Sequence, residues 1–348
     1  MSSLTTAKST QTPEFAELKN LCLKNLFIIN EGEDSAAHEE AASFFDDYAI
    51  ERYLRARSNN VKAAYEHIQK TFKWRVKNQP LQIYCSYCIE DRHSHSLRLV
   101  GMDQKTRRPV IYSCMYTATR RNNLKSNMEH MTRTFEDAQL MIKRNREEYD
   151  TKARCNGLGT EEDKSTALSD HQNNKDSSDL TPASEQWVVF FDLYGFGILD
   201  CDPRTAVYTA HLLTHYPERL SLGVVVDAPW GWSSLWGAIS PILDERTRKK
   251  IVFVRSNAKP EDKDSVESVC GLGKDESQWM RNEIDIQRNI SKPEDHSYWQ
   301  KPKVEESDGK RIVGHDSRGF KSFVDTPLYN ELLGNNPIYK DLICKVAK

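Results

Sequence analysis

HYPERLSLGVVVDAPWGW, residues 215–232, decides how the rest of the chain is read. Its centre, LGVVVDAP, is an apolar, β-branched run closed by Asp227 and Pro229, the pattern of a buried strand entering a turn. Its ends are unusual. A charged pair, Glu218 and Arg219, stands just before the strand, and two tryptophans, Trp230 and Trp232, stand just after it.

Working outward, WVVFFD (187–192) is a second continuous apolar strand and KIVFV (250–254) a third. Asp202 and Pro203 form a cap and first-turn pair for a helix running through His215. A helix-like segment, 231–242, separates the second and third strands in chain order. Strand, helix, strand, helix, strand, with few charges in the strands, implies an α/β fold with a mainly parallel sheet covered by helices. Upstream, LRLVGMDQKTRRPVIYSC reads as two strands around a polar turn, and a helix follows over about 126–149 with Met131, Phe135, Ala138, Leu140 and Met141 as apolar members.

The first 80 residues are different. Helices are expected over 13–30, over about 41–57, and from 61 behind an Asn60 cap, with Val61, Ala64, Tyr65, Ile68 and Phe72 on one face. Pro80 ends this helical part. Residues 81–258 then form the α/β domain, interrupted at 151–186 by a segment without aromatic residues that is rich in Asp, Ser, Asn and Lys. Such a composition buries too little apolar surface to offset chain entropy, so it reads as a disordered insertion. Residues 259–348 form a polar extension, with a short helix near 276–288 and an apolar end expected to dock as a tail.

The chain has 348 residues, with Lys plus Arg (49) nearly balancing Asp plus Glu (51) for a net charge of −2. That balance argues against a nucleic-acid binder. The polar start, MSSLTTAKSTQTPEF, has no apolar signal core, and no apolar run reaches membrane-spanning length. The expectation is a cytoplasmic protein with reduced thiols whose membrane contact is peripheral and transient.

No motif marks an enzyme. There is no G-x-S-x-G elbow and no phosphate loop, and the GLG triplets at Gly157 and Gly271 lack a third glycine. His211 and His215 fall at i, i+4 without a third ligand and read as a helix surface. Cys85, Cys88, His93 and His95 have zinc-ligand chemistry, but no second pair follows at finger-like spacing. They read as incidental thiols and solvated histidines. Neither a metal nor a cofactor is expected.

Trp232, Leu235, Trp236 and Ile239 fall at i, i+3, i+4 and i+7, with Trp230 at the entrance. Such a stripe commonly packs as core. Here the same segment also carries Gly231, Ser233, Ser234, Gly237 and Ser240, which make a weak helix. A bulky apolar face on a loosely held helix suits a lid over an apolar cavity.

These elements together resemble the CRAL-TRIO lipid-binding family. YLRARSNNVKAAYEHIQKTFKWR is similar to its N-terminal helical signature, GMDQKTRRPVIY to its G-x-D-x-x-G-R-P-V strand pair, and YPERL, VVVDAPWGW and PILDERTRKKIVFV to its core. The resemblance covers most of residues 41–256. It implies a helical N-terminal part, a sheet flooring an apolar pocket, and a mobile gate helix, here carrying Trp230, Trp232, Leu235, Trp236 and Ile239.

Within the family, the chain resembles the phosphatidylinositol-transfer branch. That likeness assigns headgroup contacts to Glu218, Thr247 and Lys250, with Arg219 as their neighbour. Residues that accompany phosphatidylcholine binding, two hydroxyls before the Asp of D-L-x-G, are replaced by Trp187 and Val189, so phosphatidylcholine is not expected as second ligand and the pocket has room for another apolar lipid. The family's L-P-x-x-Y-G-G ending is not evident, and the resemblance does not reach beyond 259. The function it implies is non-covalent binding and exchange of phosphatidylinositol at membranes. Two other readings remain open: a carrier of a sterol, retinoid or tocopherol-like molecule, and a lipid-sensing signalling adaptor.

Overall fold

The computed structural model describes residues 12–28, 34–85, 87, 94–120, 122–155, 184–197, 203–229, 232, 236–237, 240–242, 245–289, 303–305, 311–313 and 320. The chain separates into two compact units. One takes residues 1–82, 147–181 and 215–218; the other takes 83–146, 182–214 and 219–348.

The first unit is helical: α1 (Pro13–Asn25), α2 (Ser35–Ser43), α3 (Asp47–Ala56) and α4 (Val61–Asn78). Each start is capped as the sequence prescribes. Thr12, Asp34, Asp46 and Asn60 all accept a backbone N–H of the first turn. Asp46 also corrects the single helix expected over 41–57. Its carboxylate accepts from Ala49 at 2.8 Å and starts a new helix behind Phe44 and Phe45. On α4, Ala64, Ile68 and Phe72 are buried at four-residue spacing against Leu18, Tyr53 and Phe45. Gln79, left-handed at φ 42°, ends α4 ahead of Pro80. His215 stacks on Trp74 with ring centres 4.4 Å apart, and its Nδ1 lies 3.0 Å from Thr71 Oγ1. It stands past the end of its helix at Thr214, so it is not the exposed helix-face partner of His211 that the spacing implied.

The second unit is built on five strands: β1 (Arg98–Asp103), β2 (Arg108–Cys114), β3 (Trp187–Asp192), β4 (Leu220–Val226) and β5 (Ile251–Val254). They lie side by side in chain order. The β1–β2 pair is antiparallel, and β2, β3, β4 and β5 are mutually parallel. Helix α5 (Leu124–Cys155) links β2 to β3, and α6 (Pro203–Thr214) links β3 to β4. A four-residue turn of helix, α7 (Glu245–Arg248), precedes β5.

One face of the sheet is fully packed. Val110, Tyr112, Val188, Phe190, Val224 and Val226 alternate onto it, and α8 (Val266–Cys270) and α9 (Lys274–Asn289) cover it with Val266, Cys270, Met280 and Ile284. The core therefore does not end at 258, where the sequence reading placed the domain boundary. Several charged residues of α9 are partners rather than solvent-facing groups. Glu283, 2% exposed, receives Arg98, and Arg281 is paired with Glu267. Gly271, with φ 63°, is the left-handed C-cap of α8, which gives the second GLG triplet a structural use.

The boundaries expected for the insertion also shift. Residues 151–155 continue α5, and Glu185 holds two arginines, Arg146 at 3.2 Å and Arg219 at 2.7 Å. The rest of that segment, 156–183, lies outside the described residues. So does the expected docked tail; Phe320, just ahead of it, is buried against Trp279. A final pair, β6 (Lys303–Glu305) and β7 (Arg311–Val313), is antiparallel.

Candidate functional site: an incompletely covered sheet face

The opposite face of the sheet is apolar but only partly covered. Strand register sets Ser113, Phe191, Val225 and Phe253 in one row and Ile111, Val189, Gly223 and Ile251 in the next. A parallel sheet ordinarily buries both faces. Here Phe253 is 44% exposed, and Phe191 and Ile251 are only partly buried. Gly223 makes room within this face, because a side chain there would meet Ile251 at 2.4 Å.

Two of the tryptophans expected in a gate helix, Trp232 and Trp236, lie over this face. Trp232 packs on Leu193, Phe196 and Val225, and Trp236 meets the Phe253 ring edge-on at 6.2 Å. Both are helical in conformation and partly buried. Trp230, Leu235 and Ile239 lie outside the described residues. The Trp232 indole N–H is buried and has no hydrogen-bond partner among the described residues. That is a cost of about 1–3 kcal/mol for the position it occupies.

The D-L-x-G stretch forms one rim. Gly195 is left-handed, at φ 67°, and the Tyr116 ring lies 2.7 Å from where a Cβ would stand. Only glycine allows both. Tyr116 and Tyr194 are themselves substantially exposed.

The expected headgroup residues divide. In the second unit, Lys250 and Thr247 are adjacent at the entrance to β5, with Lys250 N–H donating to the Thr247 carbonyl at 3.1 Å. Lys250 Nζ donates to Leu220 O at 2.7 Å, and both residues are partly buried. Glu218, left-handed at φ 58°, belongs to the first unit and is partly buried there. Arg219 differs from its expected role. It is 5% exposed, and its Nη1 donates to the carbonyl of Glu185 at 2.6 Å and to its carboxylate at 2.7 Å. Its backbone carbonyl accepts from Trp187 N–H at 2.8 Å. Arg219 therefore fastens the start of β3, and its guanidinium is engaged inside the protein. Trp187 is fully buried and stacks on Phe135 at 5.3 Å.

A polar cluster that sequence reasoning did not find closes the carboxyl ends of the strands. Arg288 on α9 reaches Asp192, at the end of β3, and Asp227, just past β4. Tyr112 Oη donates to Asp192 at 2.7 Å. Burial works against the Arg288 charge, but the two carboxylates outweigh it and hold the guanidinium firmly protonated. Desolvation and the adjacent Asp192 raise the Tyr112 phenol well above its ordinary value. The only local signal was an acid at each strand end; the arginine that joins them lies far along the chain.

The Cys/His segment also departs from expectation. Cys85 (6% exposed) and His95 (8%) are buried rather than solvated, and they meet His130 of α5. Cys88 and His93 lie outside the described residues.

Residues 167–268 match the family model of the CRAL/TRIO domain. That stretch of the chain is similar to a CRAL/TRIO domain. The CRAL/TRIO family is one of lipid-binding and lipid-transfer proteins. The match takes in β3, β4, the two tryptophans above the open face, β5 and α8. A CRAL-TRIO domain-containing protein of Schizosaccharomyces pombe is 24% identical over 220 residues, 60% of this chain and 41% of that protein. The Sec14 cytosolic factor of the same yeast is 49% identical over 45 residues, 13% of this chain and 16% of that protein. The chain thus matches less than half the length of either CRAL-TRIO relative. The crystal structure of Sfh5 aligns over 72% of this chain and 82% of its own, at 14% identity and a TM-score of 0.45.

Proposed function

We propose that the CRAL/TRIO domain of this chain binds phosphatidylinositol and exchanges it at membrane surfaces. The observation that carries this reading is the row Phe191, Val225 and Phe253: an apolar sheet face left 44% exposed at Phe253 beneath two tryptophans. Acyl tails would lie on that face. Each methylene taken out of water gains about 0.8 kcal/mol, so one long chain contributes about ten kcal/mol or more. Thr247 and Lys250 stand at the amino end of β5 as a hydroxyl and an ammonium, suited to inositol hydroxyls and phosphate oxygens. Glu218 is assigned a headgroup contact on the strength of the resemblance alone. A second, uncharged lipid is accommodated by the same face, where Val189 offers no hydroxyl to a choline-lipid headgroup.

The segment 230–243 is the gate in this reading. Its closed position leaves the Trp232 N–H unsatisfied, and moving into a bilayer interface gives that donor water or a headgroup while the ring stays in an apolar layer. The contact with membranes is peripheral: no described helix is long and apolar enough to cross one. Exchange requires no covalent step.

The test loads delipidated protein from vesicles containing phosphatidylinositol, phosphatidylcholine and sterol and identifies the lipid retained. Selection of phosphatidylinositol, weakened about tenfold or more in Lys250→Ala, supports the assignment. Full inositol-lipid transfer by that variant would remove Lys250 from the headgroup site.

A further inference from the structure

Cys85 and His95 lie ten residues apart and His130 lies well beyond them, yet each offers a ligand atom within 4.8 Å of those of the other two. The cluster lies within the second unit, and the proposed lipid binding makes no use of it. Cys85 and His95 come from the segment ahead of β1, and His130 from the second turn of α5.

The hydrogen bonds suit one protonation pattern of the imidazoles. Ser126 Oγ donates to the Asn123 carbonyl at 3.2 Å, so its proton is committed. The same oxygen lies 3.1 Å from His95 Nε2 and has a lone pair that can accept a proton carried there. With the proton on Nε2, His95 Nδ1 keeps its lone pair, 3.5 Å from Cys85 Sγ and 3.0 Å from Ser94 Oγ, both able to donate. On His130, Nε2 donates to the Leu97 carbonyl, which leaves the lone pair on Nδ1. The two rings stack at 4.6 Å. Each histidine thus has one nitrogen tied to an outer hydroxyl or carbonyl and one bearing a lone pair. That is the arrangement in which metal-bound histidines are held.

The spacing is close to what zinc needs. Bonds of about 2.0–2.1 Å to nitrogen and about 2.3 Å to sulfur put tetrahedral ligands roughly 3.3–3.8 Å apart. The Cys85–His95 pair is already at 3.5 Å, and closing the rest of the triangle takes about 1 Å of side-chain movement. We propose that Cys85, His95 and His130 bind a zinc ion that ties the segment ahead of β1 to the start of α5. Three protein ligands leave a fourth position for water or another donor. Binding is balanced by loss of the Cys85 thiol proton: Zn²⁺ and Cys–SH give a zinc thiolate and a proton released to solvent. Ser126, through His95 Nε2, acts as a positioning residue.

The experiment uses the full chain, stripped with a chelator and then titrated with zinc alone. Bound metal is read by elemental mass spectrometry, and cobalt substituted for zinc reports the ligands by its spectrum. The expected result is one zinc per chain, with a thiolate-to-cobalt charge-transfer band and tetrahedral d–d bands. Cys85→Ser should abolish that band, His130→Gln should weaken binding at least about tenfold, and Ser126→Ala should weaken it by about 10–100-fold. Cys22→Ser, in the helical unit, should bind as the parent does. Circular dichroism identifies any variant that has not folded, and Ser126→Ala, which touches no ligand atom directly, keeps the test sharp if a ligand variant fails. Stripped parent protein that takes up no zinc overturns the proposal. So does a cobalt complex without the thiolate band, or a Cys85→Ser variant that binds like the parent.

Discussion

Arg288 holds Asp192 with both terminal nitrogens, Nη1 at 2.5 Å from one carboxylate oxygen and Nη2 at 2.8 Å from the other. Nη2 also reaches Asp227 Oδ2 at 2.6 Å. One side chain of α9 thus ties the carboxyl ends of β3 and β4 together. Asp192 is fully buried, so removing the arginine strands a charge in the interior. Arg288→Met should lower unfolding free energy by about 3 kcal/mol. Adding Asp192→Asn should recover part of that loss, because the stranded charge goes with it. Urea melts of the two variants and the parent check both statements.

Asp137 makes stability depend on pH in the opposite sense from most carboxylates. Burial pushes its carboxyl up to about 6 from 3.8, although Arg133 pulls it down from 2.6 Å away and Glu136 adds to the rise. Between roughly pH 4 and 6 the folded chain therefore binds this proton more tightly than the unfolded chain, and its contribution falls as pH rises through that window. Asp137→Asn should leave stability near pH 4 unchanged and raise it at pH 7 by about 1–2 kcal/mol. Asp227 works the other way. Burial raises its carboxyl, but hydrogen bonds from Ser256 and Arg288 outweigh that and hold it below the ordinary value. Its contribution is complete above the ordinary carboxylate range and is lost as pH falls through its lowered folded value. Chemical melts across pH 3.5–7.5 separate the two groups, with those limits chosen to bracket roughly the ordinary carboxylate and histidine ranges.

The two faces of the sheet should answer a charge very differently. Phe253 is 44% exposed, so Phe253→Asp should shift the melting temperature by only a few degrees, about 1 kcal/mol, while sharply reducing lipid loading. Val224 is fully buried on the packed face, and Val224→Asp should prevent folding. Thermal melts together with retention of a radiolabelled lipid distinguish these outcomes. Equal destabilisation by both would mean that the open face is ordinary core.

Trp232→Phe keeps the ring area over Val225 and removes the buried N–H that has no partner. The closed arrangement gains about 1–3 kcal/mol, so opening should slow by roughly tenfold or more. Lipid transfer between vesicles should slow accordingly while equilibrium lipid content is kept. Faster transfer would show that the ring itself, rather than its N–H, controls opening.

Much of this was legible in the chain because the signals are local. WVVFFD and LGVVVDAP are unbroken apolar runs, and a parallel strand buried on both faces needs nothing else to be seen. Asn60 and the four-residue spacing of Ala64, Ile68 and Phe72 place α4 to the residue. The break between α2 and α3 was missed because Phe44 and Phe45 continue the apolar pattern across it, outweighing the cap signal of Asp46. Helix α9 reads as surface because Glu276, Glu283 and Arg288 dominate its composition. Their partners, the backbone of Gln104 and the side chains of Arg98 and Asp192, are supplied by strands far away in the chain. For the same reason His130 could not be joined to Cys85 and His95. Nothing in the intervening sequence brings them together; the packing of α5 does. Arg219 was misread because its place beside Glu218 in YPERL says nothing of Glu185, which takes its guanidinium.

The central claim is that the apolar face of the β3–β5 region holds acyl chains. Native mass spectrometry of the full chain, purified without detergent and then stripped by organic extraction for lipid identification, tests it most directly. The account predicts a chain carrying one phospholipid, identified as phosphatidylinositol, and loss of that added mass in Phe253→Asp. A chain that flies at its bare mass, and takes up no lipid when offered inositol-lipid vesicles, would contradict it.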